Sequence, residues 1–456
     1  MPTHNFRDAG LNTLLNVAAL ILLNAMQAAS AAQYDYGLSA SALYSNNLNR
    51  TPVNQDKEWV DVFRGLFSLS ENSDVLKANL YSQLEYRHYN SGTFDDEFLF
   101  GLASSATWSI LPRRFSITVE DLYTQAPIDP TVVPTPGNRQ NINVFSIGPN
   151  FTFRLDPVDR FDVGARATDY YYERANADSD RYSGYNRLIH GLSPLTEISL
   201  NYEPTKVDYR DNILNQDYLR HDLYAGLLTR PFGTELSLAA GRTLIQRDAT
   251  PDLKSDLQRL LWSRQLNSSS RFSLSASKQI SDSGRDALIV NPASDVPAPV
   301  PTNPAEFVGG GIYKGRLADA LYFHRRDYGD NYFHLFWRNL DYETITPLDQ
   351  KVRGGDFQLG YDYSAAVSGA VFANYAKTEY LVVPRTDTDS GGGVRMIYRF
   401  RRDLSLIFES RWNQRDSTLF SQNFDEIRTI LTIAYNTNPA AYVTNPFITS
   451  NYPLYR

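Results

Sequence analysis

The chain has 456 residues, a formal net charge of -7 at pH 7 and no cysteine. The lack of cysteine excludes a disulfide-stapled secreted domain, a thiolate nucleophile and a cysteine metal site, and the acidic balance provides no basic surface for nucleic acid. Aromatic residues make up 13% of a chain in which 21% of the residues are charged. Such a composition is typical of strands with one apolar and one polar face.

Residues 1–32 have the layout of a secretory signal peptide. A short start that carries Arg7 leads into the apolar segment 14–23, and small residues precede the junction after Ala32. An uncleaved anchor helix is the alternative, but the apolar segment is shorter than the roughly 20 residues that a spanning helix needs. We therefore expect cleavage near Ala32 and an exported mature chain.

The segment that follows alternates in polarity. Between Leu76 and Arg87, apolar or small residues occupy the even positions and polar residues the odd ones. Successive side chains of a strand point to opposite faces, so one face of this strand suits hydrocarbon and the other suits water. The same alternation recurs at 161–168, 197–203 and 404–412. A helical period does not fit these segments.

Short turn-like connections rich in Pro, Gly, Asn and Asp alternate with longer polar ones. The predicted strands are 33–45, 57–70, 75–88, 96–109, 114–124, 141–154, 160–173, 180–191, 195–208, 217–230, 234–246, 254–265, 271–280, 312–325, 330–344, 351–363, 368–381, 390–400, 404–413 and 423–435. Their number is even, as a barrel with both ends in the periplasm requires. A count of 18 is the alternative, because strand edges inferred from one sequence are uncertain by about 2–4 residues.

The fold class predicted from this pattern is all-β. We expect a transmembrane antiparallel β-barrel of about 18–20 strands over 33–436, with short periplasmic turns and longer extracellular loops, in the outer membrane of a Gram-negative bacterium. Residues 437–456 form a C-terminal tail. A soluble β-sandwich or propeller is the rival, but the chain shows neither a division into domains nor a blade repeat of about 40–50 residues.

Aromatic residues near the predicted strand ends are expected to form girdles at the two membrane interfaces. They are Tyr34, Tyr36, Trp59, Tyr86, Trp108, Tyr123, Tyr170, Tyr202, Trp262, Trp337, Trp412 and Tyr435. An aromatic ring that points into the lumen instead offers a flat platform for a sugar ring. Tyr81 is the candidate for that role, because it shares the polar face of its strand.

Alternation also predicts which side chains line the lumen. They are Lys77, Asn79, Tyr81, Gln83, Glu85, Glu120, Asp162, Arg166, Glu197, Asn201, Glu203, Arg338, Glu409 and Arg411. Their charges are mixed, so the sequence predicts no ring of one sign. They form either charge pairs across neighbouring strands or the hydrogen-bonding lining of a hydrophilic conduit.

Two proline-rich loops could narrow such a conduit, and the alternative for both is a solvated surface loop. They are 281–311, which ends in Gly309-Gly310-Gly311, and 125–140. The tail after Tyr435 is a third feature, since a barrel chain usually ends as its last strand finishes. The sequence leaves open whether this tail lies in the periplasm, enters the lumen or binds a partner.

The sequence gives little support for catalysis. Its six histidines are scattered, with no HExxH metal motif and no GxSxG nucleophile elbow. His221 and Asp222 are adjacent on a strand and so face opposite sides. His334 shares a face with Arg338, and a lumenal histidine is usually a hydrogen-bonded wall residue. We expect no enzyme, no cofactor and no metal.

Three features resemble a known family. They are the segment Tyr44-Ser45-Asn46-Asn47-Leu48-Asn49-Arg50 after the first strand, the long series of short-turn hairpins, and the arginine-bearing strand segment Arg259-Leu260-Leu261-Trp262-Ser263-Arg264. They are similar to the outer-membrane β-barrel proteins of exopolysaccharide systems, the EpsL-like group of the PEP-CTERM-associated type. The resemblance implies a barrel in polysaccharide export that works with a periplasmic polysaccharide-export protein. It implies no residue-level site.

Three hypotheses for function follow. The first is a translocation channel for an exopolysaccharide or capsular polysaccharide, in which weak, repeated contacts let a sugar chain pass. The second is a general or small-solute porin. The third is a surface adhesin or assembly scaffold. The expected partners are polysaccharide, outer-membrane lipids and the periplasmic export protein.

Overall fold

A computed structural model describes residues 32–437, apart from 212–215, 249, 283–310, 327 and 344. The expected signal peptide and most of the C-terminal tail lie outside the described residues. Twenty antiparallel strands account for most of the described chain. They are β1 (Gln33–Ser45), β2 (Glu58–Asn72), β3 (Leu76–Tyr89), β4 (Glu97–Leu111), β5 (Phe115–Pro127), β6 (Arg139–Arg154), β7 (Asp159–Tyr172), β8 (Ser179–Ser193), β9 (Thr196–Tyr209), β10 (Tyr218–Thr229), β11 (Thr234–Arg247), β12 (Leu253–Asn267), β13 (Ser270–Asp282), β14 (Ile312–Arg326), β15 (Gly329–Tyr342), β16 (Gln350–Asp362), β17 (Val367–Tyr380), β18 (Thr386–Arg399), β19 (Leu404–Ser417) and β20 (Phe424–Asn436).

Each strand pairs with the next along the chain, and the first pairs with the last. The closing ladder joins β1 to β20 from Gly37 opposite Asn436 to Ser45 opposite Arg428. Closure leaves no sheet edge, so every strand has partners on both sides, as a membrane without water demands. The predicted fold class is confirmed, and of the two strand counts weighed, 20 is correct.

The connections alternate in length as expected. Those after the even-numbered strands have two to four residues, and those after the odd-numbered strands have five or more. The turn between β10 and β11 shows why the short ones reverse so tightly. Phe232 and Gly233 both have positive φ, 47° and 71°, which is the conformation of a two-residue hairpin turn that follows the twist of the strands. This alternation places the short turns on the periplasmic side.

Two predicted boundaries at the extracellular end are wrong. β18 begins at Thr386, not at 390, and β19 continues to Ser417, not to 413. The added residues are polar on both faces, so they have the composition of a loop. They are held in the ladder by an ion pair between neighbouring strands, in which Arg415 Nε lies 2.7 Å from Asp389 Oδ1. The connection between β5 and β6 is likewise shorter than predicted, because β5 runs to Pro127 and β6 starts at Arg139.

Large apolar side chains cover the outer surface of the barrel. Around the wall, Leu38, Leu84, Leu223, Leu335 and Ile433 are each exposed on the face opposite the lumen. An apolar surface this extensive is not stable in water, whereas it matches the hydrocarbon of a bilayer. The protein is therefore a transmembrane β-barrel of the outer membrane of a Gram-negative bacterium.

No helix in the described part of the chain has both the length and the apolar character to cross a bilayer.

Candidate functional site

The inner wall of the barrel is the candidate site, and alternation identifies its residues. On β10, Leu219 and Leu223 are exposed to the membrane side, whereas Arg220 and Asp222 between them are buried. Asp222 accepts hydrogen bonds from Arg220 Nε at 3.0 Å and from Thr243 Oγ1 at 2.5 Å. The polar residues of the wall thus bond to one another along and across strands.

All fourteen residues predicted to line the lumen occupy the inward positions of their strands, by the same alternation. The structure does not bring them to one point. They are distributed over β3, β5, β7, β9, β15 and β19, around most of the circumference. Their part in transport remains a prediction.

The inward positions of β3 hold an ion-pair group. Glu85 is buried between Arg64 of β2, with which it forms a salt bridge, and Arg87, whose Nη2 lies 2.6 Å from Glu85 Oε1. Gln83 donates to the same carboxylate at 3.3 Å. One glutamate is thus shared by two arginines.

The other predicted residues of β3 lie closer to the periplasmic end and are less enclosed. Lys77 and Asn79 are exposed, and Tyr81 is half-buried. Asn79 Oδ1 accepts a hydrogen bond from Ser70 at 3.0 Å.

A second group lies on β5 to β8, a few strands further around the wall. Arg166 donates to Asn150 Oδ1 at 2.8 Å, and the Tyr185 hydroxyl donates to the same oxygen at 2.8 Å. Glu120 of β5 interacts electrostatically with Arg166. The predicted residues Glu120 and Arg166 therefore belong to one network, which sequence alone did not join.

The strand β9 supplies further members of this wall. Glu203 accepts from Arg187 at 3.2 Å and from the Tyr224 hydroxyl at 2.7 Å. Asn201 donates to Ser199 Oγ at 2.8 Å.

Nearer the periplasm, one arginine joins two predicted carboxylates. Arg160 reaches Asp162 at 3.0 Å and Glu197 at 3.6 Å.

The histidine on β15 is a wall residue held by two carboxylates. His334 Nε2 lies 3.1 Å from Asp319, and its Nδ1 lies 3.3 Å from Asp356. Arg338 lies 3.4 Å from Asp319, and the Tyr332 hydroxyl donates to Asp356 at 2.6 Å. The predicted shared face of His334 and Arg338 is present, and both side chains contact the same aspartate.

The other histidine weighed in the sequence faces away from its neighbouring aspartate. His221 faces outward, where its Nδ1 lies 2.8 Å from the Tyr202 hydroxyl, whereas Asp222 faces the lumen. Within the described residues, no group of three or more histidine and carboxylate side chains is placed to hold a metal ion.

One expected girdle aromatic lies elsewhere. Tyr170 is 2% exposed and points into the lumen, where Arg181 lies 4.2 Å above its ring. Tyr170 follows the inward series of β7, so its proximity to a strand end misled the prediction. Tyr34, Trp59 and Trp412, by contrast, are exposed on the outer surface as expected.

The extracellular end of the β13–β14 hairpin folds into the lumen, and the sequence had left open whether the loop that starts here narrows the conduit. Pairing between β12 and β13 stops at Gln258 opposite Lys278, although both strands continue. Beyond this point both faces of β13 are buried. Ile280 and Ile312 pack on the inner-wall residues of β9 to β11, and Tyr313 packs on the inner wall of β15.

A buried ion pair joins this hairpin to a strand a quarter of the way around the barrel. Asp282 lies 2.5 Å from Arg181 Nη1 of β8, and the Tyr218 hydroxyl of β10 donates to Asp282 at 2.8 Å. A round barrel of 20 strands would be about 40 Å across, with β8 and β13 about 28 Å apart. An arginine and an aspartate cannot span that distance, so the end of the hairpin leaves the wall and reaches through the lumen to β8, which gives the barrel a pinched extracellular end. Most of the loop 281–311 itself lies outside the described residues.

The loop between β5 and β6 crosses the same end from another side. Arg50, in the loop after β1, donates to the carbonyl of Pro134 at 3.2 Å, and the amide of Val133 donates to Gln422 at 2.9 Å. These partners come from the loops at the β1–β20 closure, several strands away. The alternative of an inward constriction is therefore the one that fits this loop, and a freely solvated surface loop is wrong.

Neither a protein-family model nor a curated protein sequence matches this chain. Three solved structures from Pseudomonas aeruginosa are similar in fold. A mutant of the ferric enterobactin receptor PfeA in complex with enterobactin has 8% identity and a TM-score of 0.48, covering 89% of this chain and 82% of that chain. The siderophore receptor PirA has 14% identity and a TM-score of 0.41, covering 88% and 80%. OccK2 (OpdF) has 10% identity and a TM-score of 0.37, covering 89% and 98%.

Proposed function

We propose that the barrel is a translocation channel for an exopolysaccharide or capsular polysaccharide. The observation that carries this proposal is the lining of the lumen, where arginines lie over aromatic rings on separate parts of the wall. Arg187 lies 4.8 Å from the Tyr185 ring centroid, and Arg338 lies 5.1 Å from that of Phe336. Hydrogen-bonding groups beside flat rings suit weak, repeated contacts with a sugar chain. The family resemblance supplies the identity of the cargo.

Deletion of the gene tests the cargo. We expect polymer secretion to be lost and to return on complementation, while uptake of small solutes is unchanged. Wild-type secretion in the deletion strain would contradict the proposal.

The wall itself is tested by replacing Tyr81 and Gln83 with alanine. We expect the double variant to alter block of the channel by oligosaccharides in planar bilayers, because both residues lie on the inward face of β3. Leu84→Ala on the same strand is the matched control, since Leu84 is exposed to the membrane. A double variant that is blocked like wild type would remove these residues from the pathway.

A small-solute porin is the second candidate, and the pinched extracellular end favours it. A narrowed mouth admits small molecules more readily than a polymer. Swelling of liposomes that contain the barrel should distinguish the two, because a porin gives fast uptake of mono- and disaccharides. A scaffold or adhesin would give no resolved opening in a planar bilayer.

We also propose a periplasmic polysaccharide-export protein as partner, on the basis of the resemblance. Phe232 offers a site to test this, because it is 98% exposed at the tip of a periplasmic turn. A photo-crosslinking residue at this position should capture that protein in cells. A crosslinker placed in the extracellular loop at Val53 is the control and should not capture it.

A further inference from the structure

One arginine of the inner wall differs from its neighbours because it has no carboxylate partner. On the adjacent strand β18, Arg395 Nε lies 2.7 Å from Glu409, and on β19 Arg415 Nε lies 2.7 Å from Asp389. Arg411, between Glu409 and Arg415 on the inward face of β19, forms no ion pair within 4.0 Å among the described residues.

The groups that hold Arg411 are neutral. Its Nε donates to Asn413 Oδ1 at 3.0 Å, and its Nη2 donates to Asn374 Oδ1 at 3.4 Å. Its guanidinium lies 5.2 Å from the ring centroid of Phe372. Amides and an aromatic ring orient the guanidinium, and the neighbouring inward carboxylate, Glu409, is already paired with Arg395.

Two glycines make this arrangement possible. Asn374 and Phe372 are on β17 and Arg411 is on β19, so the contacts pass over β18, whose inward positions here are Gly391 and Gly393. A Cβ at Gly391 would lie 2.9 Å from Asn374 Oδ1, and a Cβ at Gly393 would lie 2.7 Å from Phe372 Cζ. The triple glycine 391–393 therefore lets three strands contribute to one site.

Arg411 also faces positive charge on the neighbouring strand β20. Arg428 lies directly opposite Arg411 on β20. Arg428 pairs with Glu426 at 2.7 Å, and Arg50 pairs with the same glutamate at 3.0 Å. Two arginines therefore share this carboxylate, and Arg411 lies opposite one of them. Like charges in opposite positions on a sheet are unfavourable, and an anion would relieve that repulsion.

A buried donor beside Arg411 also has no acceptor. Asn413 is 7% exposed, and its Nδ2 has no hydrogen-bond partner within the described part of the chain. Leaving a buried donor unpaired costs about 1–3 kcal/mol, which an acceptor at this position would recover. Asn413 thus presents a buried donor without an acceptor beside the Arg411 guanidinium.

We propose that Arg411, with Asn413 and Phe372, is a binding subsite for the carboxylate of a sugar acid, so that the channel carries an acidic polysaccharide. This inference rests on the proposed function for its cargo. A planar guanidinium binds an oxyanion through paired hydrogen bonds, and the adjacent Phe372 ring provides apolar surface for the sugar that bears it. The site would hold each acidic sugar weakly as the chain advances.

The test is equilibrium binding to the purified full-length barrel in detergent, measured by calorimetry. Trigalacturonate is the probe, with maltotriose as the neutral trisaccharide and inorganic phosphate as the simple anion. We expect trigalacturonate to bind more tightly than either. Equal binding of trigalacturonate and maltotriose would overturn the site, and equal binding of phosphate and trigalacturonate would overturn its assignment to a sugar acid.

Three variants sharpen the measurement. Arg411→Gln should weaken trigalacturonate binding by about tenfold or more and leave maltotriose unchanged, because the charge-assisted hydrogen bonds are lost. Arg411→Lys keeps the charge but lacks the planar guanidinium with its paired donors. Its affinity for trigalacturonate should therefore lie between those of the wild type and Arg411→Gln. Arg230→Gln removes the same charge at a periplasmic turn, where Arg230 pairs with Glu235. An equal loss of trigalacturonate binding in this variant would mean that the effect of Arg411→Gln reflects only the net charge of the protein.

Binding in detergent requires no transport. The proposed anion subsite and the proposed channel function can therefore be contradicted independently of each other. If the deletion strain secretes polymer normally while Arg411→Gln loses trigalacturonate, the channel assignment is wrong and the anion site stands. If secretion is lost in the deletion strain but Arg411→Gln binds trigalacturonate like wild type, the subsite is wrong and the channel assignment stands.

Discussion

Two parts of the lumen differ in how they hold an enclosed arginine. At the pinched extracellular end, Arg181 and Asp282 are both buried and form a direct ion pair, surrounded by the apolar residues of β9 to β14. On the wall formed by β17 to β20, Arg411 is held by amides and an aromatic ring without a carboxylate. The first arrangement closes a gap between strands. The second leaves positive charge for a ligand.

The largest expected effect tests the closed region. Asp282→Ala should lower the free energy of unfolding by about 3–5 kcal/mol, because it leaves the buried Arg181 without its counter-charge. Urea unfolding of the barrel in lipid vesicles measures this change.

The matched control is Asp256→Ala, which breaks a pair between Asp256 and Lys278 whose side chains are 52% and 41% exposed. We expect a loss of less than about 1 kcal/mol there. Similar losses for the two variants would mean that the pinch at Asp282 does not contribute to stability.

The next largest effect tests the wall of β17 to β19, where Gly391 and Gly393 face the lumen. A Cβ at Gly393 would lie 2.5 Å from the backbone oxygen of Ser410 as well as against Phe372. Gly393→Ala should therefore cost about 1–3 kcal/mol from overpacking and should also weaken trigalacturonate binding, since it displaces Phe372.

Gly65→Ala is its control, because the added Cβ would meet only Leu38 at 3.8 Å on the outer surface. If the unfolding curve for Gly393→Ala matches those of Gly65→Ala and wild type, the close packing of side chains from β17 and β19 over β18 does not require glycine at position 393.

The smallest effect concerns a periplasmic turn, outside both regions. The Asp156 carboxylate accepts hydrogen bonds from the amides of Val158 at 2.8 Å and Asp159 at 2.6 Å, and these bonds lower its pKa below the usual value. A lowered pKa in the folded state means that the carboxylate stabilises the fold above its unfolded pKa and that this contribution is lost as pH falls through the folded pKa.

Asp156→Ala should therefore lower the melting temperature slightly at pH 7, with the difference from wild type shrinking as the pH drops below about 4. Asp156→Asn retains an oxygen acceptor and should lose less. A difference that stays constant from pH 7 to pH 3 would contradict the assigned role of the ionised carboxylate.

Alternation in the sequence was enough to predict the barrel, a strand number of about 18–20 and the face of each predicted lumen residue. This is because side chains of a strand alternate strictly, so one apolar residue out of two identifies the membrane face along each strand. The same local rule failed at Thr386 to Asp389 and at the end of β19, where both faces are polar. There the ladder depends on an ion pair between strands that the sequence does not reveal.

Contacts between distant strands were decided only by the tertiary structure. The pairing of Asp282 with Arg181 joins residues 101 positions apart, and nothing in either segment specifies the other. The neutral surroundings of Arg411 depend on β17, β18 and β19 together, although the run Gly391-Gly392-Gly393 was a visible signal of close approach. The sequence by itself determined a closed sheet with a polar interior, because both features follow from the local alternation of apolar and polar residues. Where the interior narrows, and where it keeps an unpaired charge, depends on which strands meet across the lumen.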